Sequence, residues 1–341
     1  MGLFENKIKQ FPKILEWAER QDVAGLRHFL LDDEICSRLY VASGGSFSAA
    51  VYAEQLSADK GIMSHALTPL LYTGSGFASI AAKTLLISAS GYNNDILRAY
   101  ANACGTKKQE VGAVALTSKG RLQTLLQEKG SGNLFCFDIP TGRDGFLSSA
   151  SVLAFYTLLY RAFGHDNLSR VSTDISDEEQ EEIDGFVNLL KRISLDELTE
   201  HEAFLHKLEG VDSFFILYSA TSYPVALDIE SKFSEGAVGN TQLADYRNFA
   251  HGRFNWFTQR PGQTGLICLQ TPDDMAMSEE ILSMVPGHVP ALRLRTRHSN
   301  QLAAIDLLIK EHYLCSALGQ RWGLDLSRPV VPEYGRILHS R

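Results

Sequence analysis

The chain has no excess of positive charge, no long apolar run and no closely spaced cysteines. Its 32 Lys and Arg stand against 40 Asp and Glu, a net charge of -8, so no basic field is present to hold a polyanion. Neither nucleic acid nor an anionic membrane is expected as a partner. No apolar stretch approaches the roughly 18 residues of a membrane-spanning helix, and charges occupy Met1 to Gln10 where a signal peptide has its apolar core. A cytoplasmic protein is the expectation. The five cysteines, Cys36, Cys104, Cys136, Cys268 and Cys315, are odd in number and far apart. They read as reduced core residues, which argues against a disulfide scaffold and against a structural zinc.

What is present is the composition of an ordinary globular chain, 45% apolar and 21% charged over 341 residues, enough for two domains. Residues 1–34 carry apolar side chains at helical spacing (Ile8, Phe11, Ile14, Leu15, Ala18) and predict one or two amphipathic N-terminal helices. Over 35–168 the pattern changes to short runs that are apolar at every position: Arg38–Ala42, Thr84–Ile87, Gly112–Leu116 and Asn133–Phe137. Such runs suit parallel strands covered on both faces, and the spacing between them suits helices. An acidic stretch at 169–210 is the predicted linker, with its charges on a solvated helix face. Across 211–341 the first pattern returns, with strands at Ser213–Tyr218, Gly265–Leu269 and Ala291–Leu294 and a Pro-led helix over Pro224–Glu235. The fold class read from this is α/β, two flavodoxin-like doubly wound parallel-sheet units in tandem.

Serine-rich turns sit where strands meet helices. Val41–Ser48 reads VASGGSFS and Ser88–Asp95 reads SASGYNND. Small residues there leave backbone N–H groups free at a positive helix end, and Ser43, Ser46 and Ser48 in the first turn and Ser88, Ser90 and Asn93 in the second add side-chain donors. In an open parallel sheet both turns lie beyond the strand ends, so they can converge on one ligand. Neither turn has the lysine of a nucleoside-triphosphate loop or the GxGxxG of a dinucleotide fold. A single phosphate held by neutral hydroxyls is therefore the expected anion, with no cofactor and no metal. Thr141, Gly142, Arg143 and Asp144 follow the fourth strand, where they would close that pocket.

These residues resemble the sugar isomerase (SIS) domain family, in tandem, along nearly the whole chain. Ala42–Ser46 and Ser88–Asp95 are similar to its two phosphate-holding turns, which implies substrate contacts by Ser43, Gly44, Ser46, Ser88, Ser90 and Asn93, with Asn93 where the family usually has threonine. Tyr223–Glu235 (YPVALDIESKFSE) resembles the segment YPIALEGALKLKE in the isomerase half of the glucosamine-6-phosphate synthases. His251-Gly252 resembles their HGP, sixteen residues after the glutamate in both. The resemblance implies that Glu235 and Lys232 serve proton transfer and that His251 opens the sugar ring, the histidine coming from the neighbouring subunit of a homodimer. Asp228, four residues before Lys232, reads as its orienting partner.

The departures are as specific. The glutamine-hydrolysing domain has no counterpart among the roughly three dozen residues before the first strand. Leu217, Tyr218, Ser219 and Ala220 replace the LGRG turn, and Arg253 replaces the proline of HGP, where it is either a surface cation or a second substrate clamp. Asp325–Pro329 (DLSRP) is similar to the tail segment DVDQP, but the carbonyl-binding lysine beyond it falls on Tyr334. The expected activity is aldose-ketose isomerase chemistry on a hexose or amino-hexose 6-phosphate. Deamination or deglycation of a sugar-amine phosphate runs through the same enediol-type steps, and a non-catalytic sugar-phosphate-binding regulator is the alternative of a different class.

Overall fold

Runs that are apolar at every position need cover on both faces, and the computed structural model, which describes residues 2–32, 35, 37–106, 108–130, 132–190, 211–260 and 262–340, supplies it with helices. The first sheet contains β1 (Ser37–Ala42), β2 (Met63–Leu67), β3 (Ala82–Ile87), β4 (Gln109–Ala115) and β5 (Asn133–Cys136). All pairs are parallel, in the order β2-β1-β3-β4-β5, the flavodoxin-like arrangement. The second contains β6 (Ser213–Tyr218), β7 (Asn240–Asp245), β8 (Thr264–Gln270) and β9 (Ala291–Arg295), parallel in the order β7-β6-β8-β9. The two sheets therefore share one relative order, and the α/β reading of the sequence holds.

Seven of these nine strands match the apolar runs. The exceptions, β2 and β7, occupy the same edge of their respective sheets, each beside the first strand of its unit. An edge strand is covered less completely, and the sequences MSHAL and NTQLAD keep polar side chains that are largely exposed or half-buried. Continuous apolar character marks interior strands such as β3 and β8, which are buried at every position.

The chain divides into two compact units, Asn6–Val171 with Arg328–Arg341, and Met1–Glu5 with Ser172–Ser327. Each holds one sheet. The N-terminal segment forms three short helices, Leu3–Ile8, Phe11–Glu19 and Ala24–Leu31; the second buries Phe11, Ile14, Leu15 and Ala18 at the spacing that predicts it. The acidic stretch enters the second unit as the helix Asp177–Leu189. Its start is fixed by a reciprocal bond pair between Ser176 and Glu179, while Ile183, Phe186 and Val187 face inward. The rest of that predicted linker, 191–210, lies outside the described residues, as does Cys36.

Register fixes where ligand-facing loops must lie. Ala42 pairs with Ile87, Ile87 with Val114 and Val114 with Phe135, so β1, β3, β4 and β5 end side by side. The loops leaving them share one edge of the first sheet.

Candidate functional site

The turn after β3 is built on its own serines. Ser88 Oγ accepts the Gly91 N–H at 3.2 Å and Ser90 Oγ accepts the Tyr92 N–H at 3.3 Å, which closes the turn and leaves each hydroxyl proton free to donate. Asn93 Oδ1 accepts the N–H groups of Asp95 and Ile96 and caps the helix Asn94–Thr106, so only its amide nitrogen remains for a ligand. Gly91 is required here: its φ is +71°, and an added Cβ would lie 1.9 Å from Gln123 Oε1.

The turn after β1 leads through Gly44–Ser46 into the helix Phe47–Asp59. Neither Ser43 nor Ser46 caps a helix with its side chain. Gly44, at φ +54°, is exposed and has open space around it. Gly45 packs so closely on Ser148 that a Cβ would come within 1.8 Å of its Oγ.

Ser148 and Ser90 both line a cavity of about 540 Å³ at the carboxyl edge of the sheet, together with Lys119, Gly142, Arg143 and Asp144. Ser90 is thus the predicted phosphate ligand that faces this cavity directly. Ser88 and Asn93 belong to the same turn, and the β1 turn reaches the cavity wall through Gly45 and Ser148. Thr141 adjoins the lining without contributing to it. Its carbonyl, with that of Gly142, accepts bonds from the buried Lys7 Nζ at 2.5 and 3.1 Å, which pins the loop from below. Burial depresses the Lys7 pKa, and Asp144, 4.0 Å away, acts in the opposite direction. Tyr334 lies on the helix Glu333–Ser340, exposed, and is not part of the lining.

Two of the groups around this cavity, Lys7 and Lys119, are not among the residues singled out from the sequence. Lys7 is far from Thr141 in the chain, and nothing in its spacing indicates the contact. Lys119 is different: Thr117–Gly120 (TSKG) is a further small-residue turn at the same strand edge, the kind of signal that marks the other two.

In the second unit the helix Tyr223–Glu235 carries two of the predicted catalytic residues into different surroundings. Lys232 is 2% exposed, and its ammonium pairs with Asp228 and, at 3.2 Å, with Glu311 Oε1. Glu311 in turn lies 2.5 Å from His312 Nδ1 on the helix Leu302–Arg321, all of it buried. Asp228, Glu311 and His312 could hold a metal by ligand type and proximity. The Lys232 ammonium already supplies that cluster with a cation. Burial raises the carboxyl pKa of Asp228 to about 6 and that of Glu311 above its usual value, with Lys232 working against both shifts.

Glu235, one turn later, is exposed and accepts a bond from Ser231 Oγ at 2.8 Å. Crowding around its carboxyl raises its pKa, with Ser231 and the Lys232 charge opposing. His251 and Arg253 are also exposed. They sit in a wide turn, Phe249–Arg253, where helical geometry breaks at His251 and at Gly252 with φ +112°. Asp245 anchors the start of that segment by accepting the N–H groups of Arg247 and Asn248.

No family model matches the chain, and no curated protein does. Solved structures match along its length. Glucosamine-6-phosphate deaminase from Thermotoga maritima superposes with a TM-score of 0.69 at 15% identity, covering 97% of this chain and 98% of that one. The C-terminal domain of glucosamine-fructose-6-phosphate aminotransferase from Francisella tularensis gives 0.67 at 14%, covering 96% and 98%. Tagatose-6-phosphate ketose/aldose isomerase from Escherichia coli gives 0.63 at 14%, covering 97% and 96%. The chain shares their fold. At such identities the likeness extends to architecture alone, and the chemistry of this chain has to be argued from its own residues.

Proposed function

We propose that the protein is a phosphosugar-binding enzyme that performs isomerase-type acid/base chemistry on a hexose or amino-hexose 6-phosphate. The observation that carries this reading is the turn after β3. Two serine hydroxyls accept bonds from their own turn and keep their protons to donate, and one of them, Ser90, lines a cavity beyond the ends of three parallel strands, with Ser88 buried in the turn behind it. Neutral donors converging at a sheet edge suit one phosphate group.

Glu235 is the base that carries the proton between C1 and C2. The residue is exposed, and desolvation of its carboxyl raises the pKa above the usual glutamate value, the direction that suits a group that takes and returns a proton. His251, accessible on a turn held open by Gly252, suits ring opening. Lys232 acts at a distance, its charge lowering the pKa of Glu235 while Asp228 and Glu311 hold it. The enzyme works as a homodimer that shares its sites, as the family resemblance implies. Deamination or deglycation of a sugar-amine phosphate would use the same groups.

The sequestration of Lys232 also favours a second reading, a regulator that binds sugar phosphate without turning it over. Glu235→Gln separates the two, since it preserves shape and removes the base. With turnover followed by NMR over a panel of hexose and amino-hexose 6-phosphates, the variant should lose about 100-fold or more in kcat and keep its affinity. Turnover retained within tenfold would reject Glu235 as the base. Binding without any turnover by the unaltered protein would select the regulator.

A further inference from the structure

We infer that the cavity beside Ser90 takes a sugar phosphate bearing a second acidic group, and that Lys119 and Arg143 hold that group. The inference rests on the phosphate reading above and extends it to the class of ligand. Hydroxyl and amide donors of the β3 turn suffice for one phosphate, so cations on the same cavity are surplus to it. Two are present. Lys119 and Arg143 both line the cavity and are exposed, and among the described residues neither side chain has a hydrogen bond or an ion pair.

The carboxylates nearby are committed elsewhere. Asp144 accepts from the backbone N–H groups of Ser149, Ala150 and Ser151, at 2.9 to 3.2 Å, and from the hydroxyls of Ser149 and Ser151. It thereby closes the start of the helix Ala150–Ala162 to any other anion. Asp138 accepts the Ser118 N–H at 2.7 Å, which ties it to the loop that carries Lys119. Lys7 holds the Arg143 loop through two carbonyls and lies 4.0 Å from Asp144. Three cations therefore face two carboxylates that already serve the fold, and the excess charge lies on the two side chains that reach the cavity. An anion distinct from the phosphate completes this arrangement, either a carboxylate on the sugar or its substituent, or a second phosphate.

Isothermal titration calorimetry of the full-length protein at one ionic strength tests this with fructose 6-phosphate, 6-phosphogluconate and fructose 1,6-bisphosphate. At least one of the doubly acidic probes should bind about tenfold tighter than fructose 6-phosphate. The Lys119→Met/Arg143→Gln double variant should abolish that advantage with an unchanged melting temperature. Preference for the gluconate assigns a carboxylate, and preference for the bisphosphate a second phosphate. Equal affinities in the unaltered protein, or a double variant that weakens all three probes alike, would overturn the inference. Ser90→Ala tells that failure from failure of the phosphate reading. If it weakens fructose 6-phosphate, the phosphate site stands without the second subsite; if no probe binds, both readings fall together.

Discussion

Serine-rich turns follow an apolar strand in both units, yet they are chemically opposite. After β3, Ser88 and Ser90 accept bonds and keep their protons. After β6, Ser222 is 0% exposed; its Oγ accepts the Ser219 N–H at 3.0 Å and donates to the Ser219 carbonyl at 3.4 Å, so its donor is spent inside the turn. The lysines divide in the same way. Lys119 lines a cavity with no side-chain partner among the described residues, whereas Lys232 is enclosed by Asp228 and Glu311. Residue type indicates what a position could do, and what it is already bonded to decides whether it is available. By that criterion the turn after β3 and Lys119 are equipped to bind, whereas the turn after β6 and Lys232 are committed to the fold.

The largest effect should come from the enclosed lysine. Lys232→Met leaves two carboxylates buried without their cation, at a cost of about 3–5 kcal/mol, whereas Lys119→Met should change stability by less than about 0.5 kcal/mol. Denaturant unfolding of both variants measures the contrast. A cost below about 1 kcal/mol for Lys232→Met, combined with loss of turnover, would mean that the ammonium leaves its cluster to reach substrate, and the division between the two lysines would not hold.

The same cluster sets the next effect, in pH. The Asp228 carboxyl titrates near 6 in the folded chain and near about 3.9 when unfolded. Between those values the folded state retains a proton that the unfolded state has lost. The contribution of Asp228 is therefore complete below about pH 4 and disappears as pH rises through about 6, a decline of about 2–3 kcal/mol. Other groups titrate in the same window, so the measurement is the difference in pH slope between the unaltered protein and Asp228→Asn. Parallel slopes would show that Asp228 is ionised throughout and that Lys232 fully compensates its burial.

How much of this was legible follows from the same physics. Interior strands announce themselves because cover on both faces demands apolar residues at every position, and the helix Tyr223–Glu235 announces itself through Pro224. The edge strands Met63–Leu67 and Asn240–Asp245 escape because that demand is relaxed and their sequences keep polar side chains, whereas the opposite edges, Asn133–Cys136 and Ala291–Arg295, are apolar enough to be read. In the candidate site, the serine turns are legible as composition, and Ser90 lines the cavity. The Lys232 enclosure was legible only in part. Asp228 lies four residues away on the same helix, but Glu311 comes from another helix, and no local pattern records a contact made by tertiary packing. Lys7 under the Thr141 carbonyl is hidden for the same reason.

The smallest effect is the most direct comparison of the two turns. Ser90→Ala removes a hydroxyl whose donor is unspent, and it should weaken fructose 6-phosphate by up to about tenfold with little change in stability. Ser222→Ala removes a hydroxyl that is buried and bonded on both sides, and it should cost about 1 kcal/mol of stability and leave phosphate affinity unchanged. Paired thermal melts and titrations read both quantities on each variant. If the two serines exchange roles, with Ser90→Ala losing stability and Ser222→Ala losing affinity, then the turn after β6 is the one that binds, and hydrogen-bond commitment in the unliganded chain is no guide to where its ligand sits.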